Sequence, residues 1–245
     1  MMQPKLYLLD VEGTVAPISF VTEQLFPYAR AHFAAFLTQN FNQPAVRADL
    51  ALLAEEHRAE ADPGVPPIST ACRRAANGLP GFVSGSIAYV LWLMDRDRKS
   101  TALKSLQGTI WKAGYKTGEL RSTLFPDVPE AFARWSQSAR IAIYSSGSVE
   151  AQQLLFRYSN FGDLTPLIAG YFDTRVGPKQ ASASYAAIAT AMNVAPQDAQ
   201  FFSDTVSELD AAREAGWQTR LVIRPGNAAI DDAHEHARLE TFDAG

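Results

Sequence analysis

The sequence has few of the features that mark exported or membrane-spanning proteins. Its single cysteine, Cys72, cannot form a disulfide within the chain, which fits a reducing compartment such as the cytosol. Acidic residues interrupt the apolar run at the N-terminus after a few positions, so we expect no secretory signal. The longest apolar stretch, Ile87 to Met94, is far below the roughly 18 to 20 residues that a membrane-spanning helix needs. We therefore expect a soluble, cytoplasmic protein.

Positive charge and nucleotide-binding loops are also scarce. The formal net charge of -4 provides no basic surface for nucleic acid. No GxGxxG or P-loop string follows a predicted strand. Among the four histidines only His234 and His236 are close, and no cysteine or third histidine is near enough to complete a zinc site. Their stretch is polar and helix-like, so we interpret them as surface residues and expect neither nucleic-acid nor membrane partners.

The order of apolar patterns predicts two kinds of structure. Residues 5–9 form a short apolar run before Asp10 and Gly13, which is typical of a buried strand that ends in a loop. From Thr22 to about Gly118 the spacing is helical and predicts roughly four helices without a convincing strand. Strands and helices then alternate to the C-terminus. This alternation predicts an α/β fold with a doubly wound, Rossmann-like parallel sheet.

The helical region is predicted to be an insertion. If the first strand belongs to the later sheet, the helices interrupt that domain directly after its first strand. We expect residues 1–20 and 119–245 to form the α/β core and residues 21–118 to form an all-helical second domain.

Polar residues follow three of the predicted strands, at the edge of the sheet where ligands of α/β proteins bind. Asp10 and Glu12 follow the first strand, the segment 145–148 is rich in serine, and Asp204 follows a later strand. Each feature alone has an ordinary explanation, such as solvated acids before a turn or serines that cap a helix. Glu208 is weaker evidence, because acids are favoured in the first turn of any helix.

Together these three clusters predict a metal and phosphate site. Carboxylate oxygens favour Mg²⁺ as the cofactor, and hydroxyl groups at a helix N-terminus can bind phosphate. Phosphoryl oxygens also require a positive charge, and Lys179 in the loop 177–179 is our candidate. Alone it would be one exposed lysine among many.

The motifs resemble those of the haloacid dehalogenase superfamily. The segments DVEGT, SSGS, a loop lysine and SDTVSELDAA follow one another in the order of its four motifs. The longer segments DVEGTVAPISFVTEQLFPYA, DRKSTALKSLQG and YSSGSVEAQQLLF are similar to the acireductone synthase family, the enolase-phosphatases of methionine salvage, and the resemblance covers nearly the whole chain. Glu12 departs from the aspartate of most superfamily phosphatases but agrees with this narrower family.

The resemblance implies roles for the residues of the metal site. Asp10 corresponds to the nucleophile, and its other carboxylate oxygen would bind Mg²⁺. Glu12 corresponds to the general acid and base, and also to a metal-site residue that acts through its backbone. Asp204 corresponds to the second metal carboxylate, and Glu208 to a residue that supports the metal ligands.

The resemblance also implies how the substrate is bound. Ser145 and Ser146 correspond to the phosphate-binding hydroxyl and its neighbour, and Lys179 to the catalytic lysine that neutralises phosphate charge. The helical insertion resembles a cap domain. Lys99 and Lys104 in the cap are candidates for substrate contacts, although a solvated helix face explains them equally well.

The implied reaction has two steps. Enolisation of 2,3-diketo-5-methylthiopentyl-1-phosphate would be followed by dephosphorylation to the acireductone 1,2-dihydroxy-3-keto-5-methylthiopentene, and the family suggests a monomer. Two alternatives remain open: a phosphatase of the same superfamily that acts on another small phosphate ester, and a binding protein that keeps the fold without turnover.

Overall fold

The computed structural model describes residues 3–68, 81–230 and 234–244. Cys72 lies outside these ranges. No helix within them is both long enough and apolar enough to cross a membrane. The chain separates into two compact units, which are Met1–Glu23 with Gly118–Gly245, and Gln24–Thr117.

The first unit is built on a parallel sheet. Within the described residues it has six strands in the order β3-β2-β1-β4-β5-β6, and every neighbouring pair is parallel. The strands are β1 (Leu6–Leu9), β2 (Arg140–Tyr144), β3 (Gly170–Phe172), β4 (Ala199–Ser203), β5 (Gln218–Val222) and β6 (Ala237–Leu239). The predicted doubly wound α/β fold is confirmed, and the first strand lies at the centre of the sheet.

Helices cover both faces of this sheet. The helices of the first unit are α5 (Val128–Trp135), α6 (Val149–Arg157), α7 (Ser182–Ala191) and α8 (Val206–Glu214). Leu6 and Leu8 belong to an apolar cluster with side chains of α7 and α8. On the opposite face of β1, the ring of Tyr7 stacks on Trp135 of α5, with 4.6 Å between ring centroids. Because β1 is covered on both faces, its sequence is continuously apolar.

The end of the chain differs from the sequence prediction. The stretch that contains His236 is followed by β6, which pairs Ala237 with Arg220 of β5, and not by a helix. His236 is only 5% exposed, and its ring nitrogens contact Thr219 at 2.8 Å and Asp210 at 3.0 Å. The prediction of a surface position was therefore wrong for His236. An edge strand of three mostly exposed residues is too short to show a periodicity from which it could be predicted.

The second unit is helical, as expected. It consists of α1 (Phe26–Asn40), α2 (Pro44–Ala59), α3 (Gly81–Asp95) and α4 (Thr101–Thr117), and its described residues contain no strand. Short π- or 3₁₀-helical turns elsewhere in the chain are Phe20–Leu25, Thr165–Leu167, Pro196–Asp198 and Phe242–Ala244.

Small and aromatic residues join α1 to α4 inside the helical unit. A Cβ atom at Gly114 would lie 2.6 Å from the Tyr28 ring, so only glycine allows this approach. The indole of Trp111 donates a hydrogen bond to the carbonyl of Leu25 over 2.8 Å. These contacts hold the beginning of α1 against the end of α4.

Candidate active site

The central strand delivers Asp10 to the carboxyl edge of the sheet. Leu9 pairs with Ile143 of β2 on one side and with Phe202 of β4 on the other. Because these strands are parallel, the residues that follow each of them lie at the same, carboxyl edge of the sheet. Asp10 lies between the strand ends that carry Ser145 and Asp204, as the sequence predicts for an open α/β sheet.

Asp10, Lys179 and Glu208 form a buried charged cluster. The Lys179 ammonium lies 2.6 Å from Oδ1 of Asp10 and 2.7 Å from Oε2 of Glu208. The side chains of Asp10, Lys179 and Glu208 are 8%, 10% and 12% exposed. When both carboxyl groups are ionised they outnumber the one ammonium, and this net negative charge in a site with little solvent favours the binding of a further cation.

Burial and neighbouring charges oppose each other at Lys179 and Glu208. Burial acts to lower the pKa of Lys179, but the negative charges of Asp10 and Glu208 outweigh it and raise the pKa to about 12. Burial raises the pKa of Glu208, the charge of Asp10 adds to this, and Lys179 offsets only part of it. Lys179 therefore keeps its positive charge at neutral pH.

Ser203 links two of the carboxylates and was not singled out from the sequence. Its hydroxyl lies 3.3 Å from Oδ2 of Asp10 and 3.0 Å from Oε2 of Glu208. It is the last residue of β4, directly before Asp204, and this position at the end of a strand could have identified it from the sequence. The backbone N–H of Val11 donates a further hydrogen bond to Oδ1 of Asp10 over 2.7 Å.

The side chain of Asp204 lies close to Gly13, in the loop that follows β1. Gly13 has φ of +69°, and a Cβ atom there would lie only 2.8 Å from Cγ of Asp204. Burial, followed by the negative charge of Asp10, raises the pKa of Asp204 to about 6. A divalent cation between the two carboxylates would relieve this repulsion.

The carboxylates of this site suit a magnesium ion that is bound by few protein ligands. Within the described ranges no group of three or more His, Cys, Asp or Glu residues is arranged to hold a metal ion without other ligands. Mg²⁺ is usually bound by one or two carboxylates together with water and substrate phosphate, not by a cage of protein atoms. Asp10 and Asp204 fit that type of site.

The serine-rich segment forms a tight turn before α6. Ser145 is buried, and its hydroxyl accepts a hydrogen bond from the N–H of Gly147 over 3.0 Å. Ser148 is the cap of α6 and accepts from Ala151 over 3.2 Å, so the ordinary explanation of a helix cap holds for this residue. Ser146 is exposed beside them. Because the Ser145 hydroxyl is the acceptor in this bond, its own proton is free for donation to another group.

Two further residues hold the loop that contains Glu12. Asn227 donates from its amide to the carbonyl of Gly13 over 3.0 Å, and Arg224 donates from Nε to the carbonyl of Thr14 over 3.1 Å. Glu12 itself is half-buried in this loop. Sequence reasoning missed Arg224 and Asn227, although both follow β5 and the rule of polar residues after strand ends applies to them.

Arg224 is anchored by a buried ion pair. Its guanidinium lies 2.8 Å from Asp127, and the two side chains are 5% and 7% exposed. The guanidinium also lies 4.5 Å from the ring centroid of Phe125 and 4.6 Å from that of Phe242. The contact with Thr14 therefore comes from a side chain with little freedom to move.

The helical unit has a cavity of its own, with a volume of about 500 Å³, between the end of α2 and the start of α4. Glu56 accepts hydrogen bonds there from the hydroxyl of Ser100 and from the N–H of Thr101. Lys99 is exposed and lines this cavity, and Lys104 is exposed on α4. Their contact with substrate stays a prediction.

Comparisons with known proteins agree with the fold and the motifs. Residues 4–216 match the family model described as haloacid dehalogenase-like hydrolase. Enolase-phosphatase E1 of Synechococcus elongatus is 51% identical over 225 residues, which are 91% of this chain and 90% of that protein. Enolase-phosphatase E1 of Leptospira borgpetersenii is 44% identical over 99% of this chain and 98% of its own length.

A solved structure is similar over the whole chain. The crystal structure of the UTR4 protein of Saccharomyces cerevisiae has a TM-score of 0.78 and 33% sequence identity, and the match covers 98% of this chain and 99% of that one. The family resemblance that the motifs predicted is confirmed. This chain belongs to the enolase-phosphatase E1 family of haloacid dehalogenase-like hydrolases.

Proposed function

We propose that this protein is a bifunctional enolase-phosphatase of L-methionine salvage. It converts 2,3-diketo-5-methylthiopentyl-1-phosphate to 1,2-dihydroxy-3-keto-5-methylthiopentene and inorganic phosphate. The observation that carries the proposal is the buried contact of 2.6 Å between Asp10 and Lys179 at the end of the central strand. A nucleophile beside a fixed positive charge is what phosphoryl transfer requires.

The first chemical step is enolisation. The carbon that bears the phosphate loses a proton and the adjacent carbonyl oxygen gains one, which gives a phosphorylated enediol. In the second step a carboxylate oxygen of Asp10 attacks phosphorus, and the bond from phosphorus to the enediol oxygen breaks. Glu12 donates a proton to that oxygen. The acireductone leaves, and an aspartyl-phosphate remains.

Hydrolysis of the aspartyl-phosphate completes the cycle. Glu12, now deprotonated, accepts a proton from water as the water attacks phosphorus. The bond between phosphorus and the Asp10 oxygen breaks, which releases inorganic phosphate and restores the Asp10 carboxylate. Lys179 neutralises charge on the phosphoryl oxygens throughout, and Ser145 and Ser146 donate hydrogen bonds to them. The buried position of Lys179 supports this role, because it is held in place before the phosphate arrives.

Members of this family are generally magnesium-dependent, and we assign the metal ligands to Asp10, Asp204 and the backbone of Glu12. Bound Mg²⁺ would supply further charge neutralisation at the phosphate. Glu208 supports the site through its contact with Lys179.

The metal assignment is tested by Asp204→Asn, which removes one negative charge and keeps the shape. We expect magnesium affinity, measured by calorimetry without substrate, to fall by more than about 100-fold, because even residues that only support metal ligands affect affinity by about 10- to 100-fold. An unchanged affinity would remove Asp204 from the metal site.

The rest of the proposal concerns the whole molecule. The helical unit acts as the cap domain, and the protein works as a cytoplasmic monomer on a small molecule, without nucleic-acid or membrane partners. The family resemblance and the single cysteine support this part. Its oligomeric state can be measured by light scattering of the purified chain.

The function is tested by supplying the diketo phosphate with magnesium to the purified protein. Phosphate release and the ultraviolet absorbance of the enediol are followed together. We expect both signals. Phosphate release from simple esters without reaction of the diketone would favour a phosphatase with another substrate, and no release from any ester would favour a binding protein.

A further inference from the structure

The loop that carries Lys179 is held by three hydroxyl groups. The hydroxyl of Tyr144 donates to the carbonyl of Gly177 over 2.8 Å. The hydroxyl of Ser184 donates to the carbonyl of Pro178 over 2.7 Å, and that of Tyr185 to the carbonyl of Lys179 over 2.7 Å. Three successive carbonyl groups thus each accept a hydrogen bond from a different side chain. We call these three side chains the hydroxyl clamp.

The clamp residues come from rigid parts of the α/β unit. Tyr144 is the last residue of β2, while Ser184 and Tyr185 lie in the first turns of α7, and all three are buried. The Tyr185 ring is enclosed by Phe201, whose centroid is 5.1 Å away, and by Trp217 at 5.9 Å. Burial raises the pKa of both tyrosines, so their hydroxyls remain donors throughout the neutral range.

Glycine is required where the loop enters the clamp. Gly177 has φ of +141°, which side chains rarely adopt, and a Cβ atom at this position would collide with the hydroxyl of Ser184. The backbone can approach α7 this closely only without a side chain. The loop is therefore constrained both by its conformation and by its hydrogen bonds.

A fixed backbone matters more for lysine than for other residues. Its four-carbon stem is flexible and loses much conformational entropy when it is held in one conformation. Lys179 must reach Asp10 and Glu208 together, at 2.6 and 2.7 Å. A small displacement of its Cα atom would break at least one of these contacts.

We infer that Tyr144, Ser184 and Tyr185 are positioning residues that set the place of the Lys179 ammonium beside the nucleophile. In this role they act through the lysine and not on the reacting atoms. The inference rests on the proposed function, in which Lys179 neutralises the charge of the phosphoryl group.

The test compares single hydroxyl deletions. Tyr185→Phe and, separately, Ser184→Ala should each lower kcat/KM for phosphate release about five- to tenfold, the effect expected for one neutral hydrogen bond. Tyr171→Phe is the matched control, because the buried hydroxyl of Tyr171 has no hydrogen-bond partner within the described residues and its ring lies in β3 of the same sheet. We expect this control to retain full activity.

A double mutant distinguishes positioning from general loosening of the fold. Lys179→Ala should lower kcat/KM about 10²- to 10³-fold, as for other groups that stabilise transition-state charge. If Tyr185 acts through Lys179, adding Tyr185→Phe to Lys179→Ala should cause less than about a twofold further loss. A structural effect would instead multiply with the first loss.

Each outcome decides one point. Equal activity of Tyr185→Phe, Ser184→Ala and the Tyr171→Phe control, with a large loss in Lys179→Ala, would overturn the clamp and leave the proposed function intact. Multiplicative losses in the double mutant would also overturn it. A Lys179→Ala variant with normal kinetics would overturn both. If Tyr185→Phe does not fold, the same comparison is made with Ser184→Ala.

Discussion

The two units of the chain differ in how deeply they bury charged side chains. Among the described residues, the most deeply buried acidic and basic side chains all belong to the α/β unit, and they are Asp10, Asp127, Asp173, Arg224 and His236. In the helical unit the buried polar side chains within the described ranges are the uncharged Ser86, Ser100 and Gln107. One of its ion pairs, between Arg30 and Asp95, is about half exposed, at 47% and 52%, and in another Arg98 is 46% exposed beside Glu60 at 15%.

This difference indicates where the chemistry is performed. Removing a charge from water costs several kcal/mol, and a partner charge repays this only in good geometry. The helical unit avoids the cost and is held together by apolar packing, for example of Phe33, Leu50 and Leu106. The α/β unit contains buried charges, despite their desolvation cost, at the carboxyl edge of its sheet. There the proposed mechanism needs a buried nucleophile and a buried cation.

The largest expected effect comes from removing the charge of the nucleophile. Asp10→Asn keeps the shape of the side chain, but a carboxamide is a poor nucleophile. We expect phosphate release to fall below detection while the circular dichroism spectrum stays unchanged. Substantial residual turnover by a folded Asp10→Asn variant would refute the assignment of Asp10.

A smaller effect is expected two residues further along the chain. Glu12→Gln removes the proposed proton donor and leaves Asp10 in place. Phosphate release should slow by about 10²- to 10⁴-fold, which is the usual contribution of general acid and base catalysis. Single-turnover measurements report this step directly, and an unchanged rate would exclude Glu12 from proton transfer.

The comparison of the units also predicts a difference in stability. Asp127→Ala leaves Arg224 buried without its counter-charge, and we expect the free energy of unfolding to fall by about 3–5 kcal/mol. Urea unfolding, monitored by tryptophan fluorescence, measures this change.

The matched control removes the same type of side chain from the helical unit. Asp95→Ala breaks an exposed ion pair, so the free energy of unfolding should change by less than about 1 kcal/mol. Similar effects of Asp127→Ala and Asp95→Ala would show that burial of charge does not separate the two units energetically.

Much of the fold was predictable because it depends on local pattern. Continuous apolar runs predict strands that are buried on both faces, and helical spacing predicts α1 to α4. The rule that ligands bind at the carboxyl ends of parallel strands predicts Asp10 and Asp204 from the sequence. The positive charge that a phosphate requires predicts Lys179. The catalytic roles of these residues remain predictions.

Other parts depend on contacts between distant residues and were not predictable. Tyr144 and Tyr185 lie within apolar runs, and nothing local in the sequence indicates where their hydroxyls point. The same holds for Arg224, whose partner Asp127 lies far away in the chain. β6 was missed because it has only three residues, is mostly exposed and lies at the edge of the sheet.

The hydrogen bond between Trp111 and Leu25 has a consequence for the order of folding. β1 pairs with β2 and β4, and both of these strands follow the helical insertion in the chain. The helical unit, in contrast, is one continuous segment whose contacts are local. Once that unit folds, the bond joins its two ends, and the loop that β1 must close becomes far shorter. We expect the helices to form first on the ribosome. The folded helical unit would then hold its two ends close together, so that β1 can pair with the later strands. In stopped-flow refolding this order would appear as a helical signal that precedes the burial of Trp135.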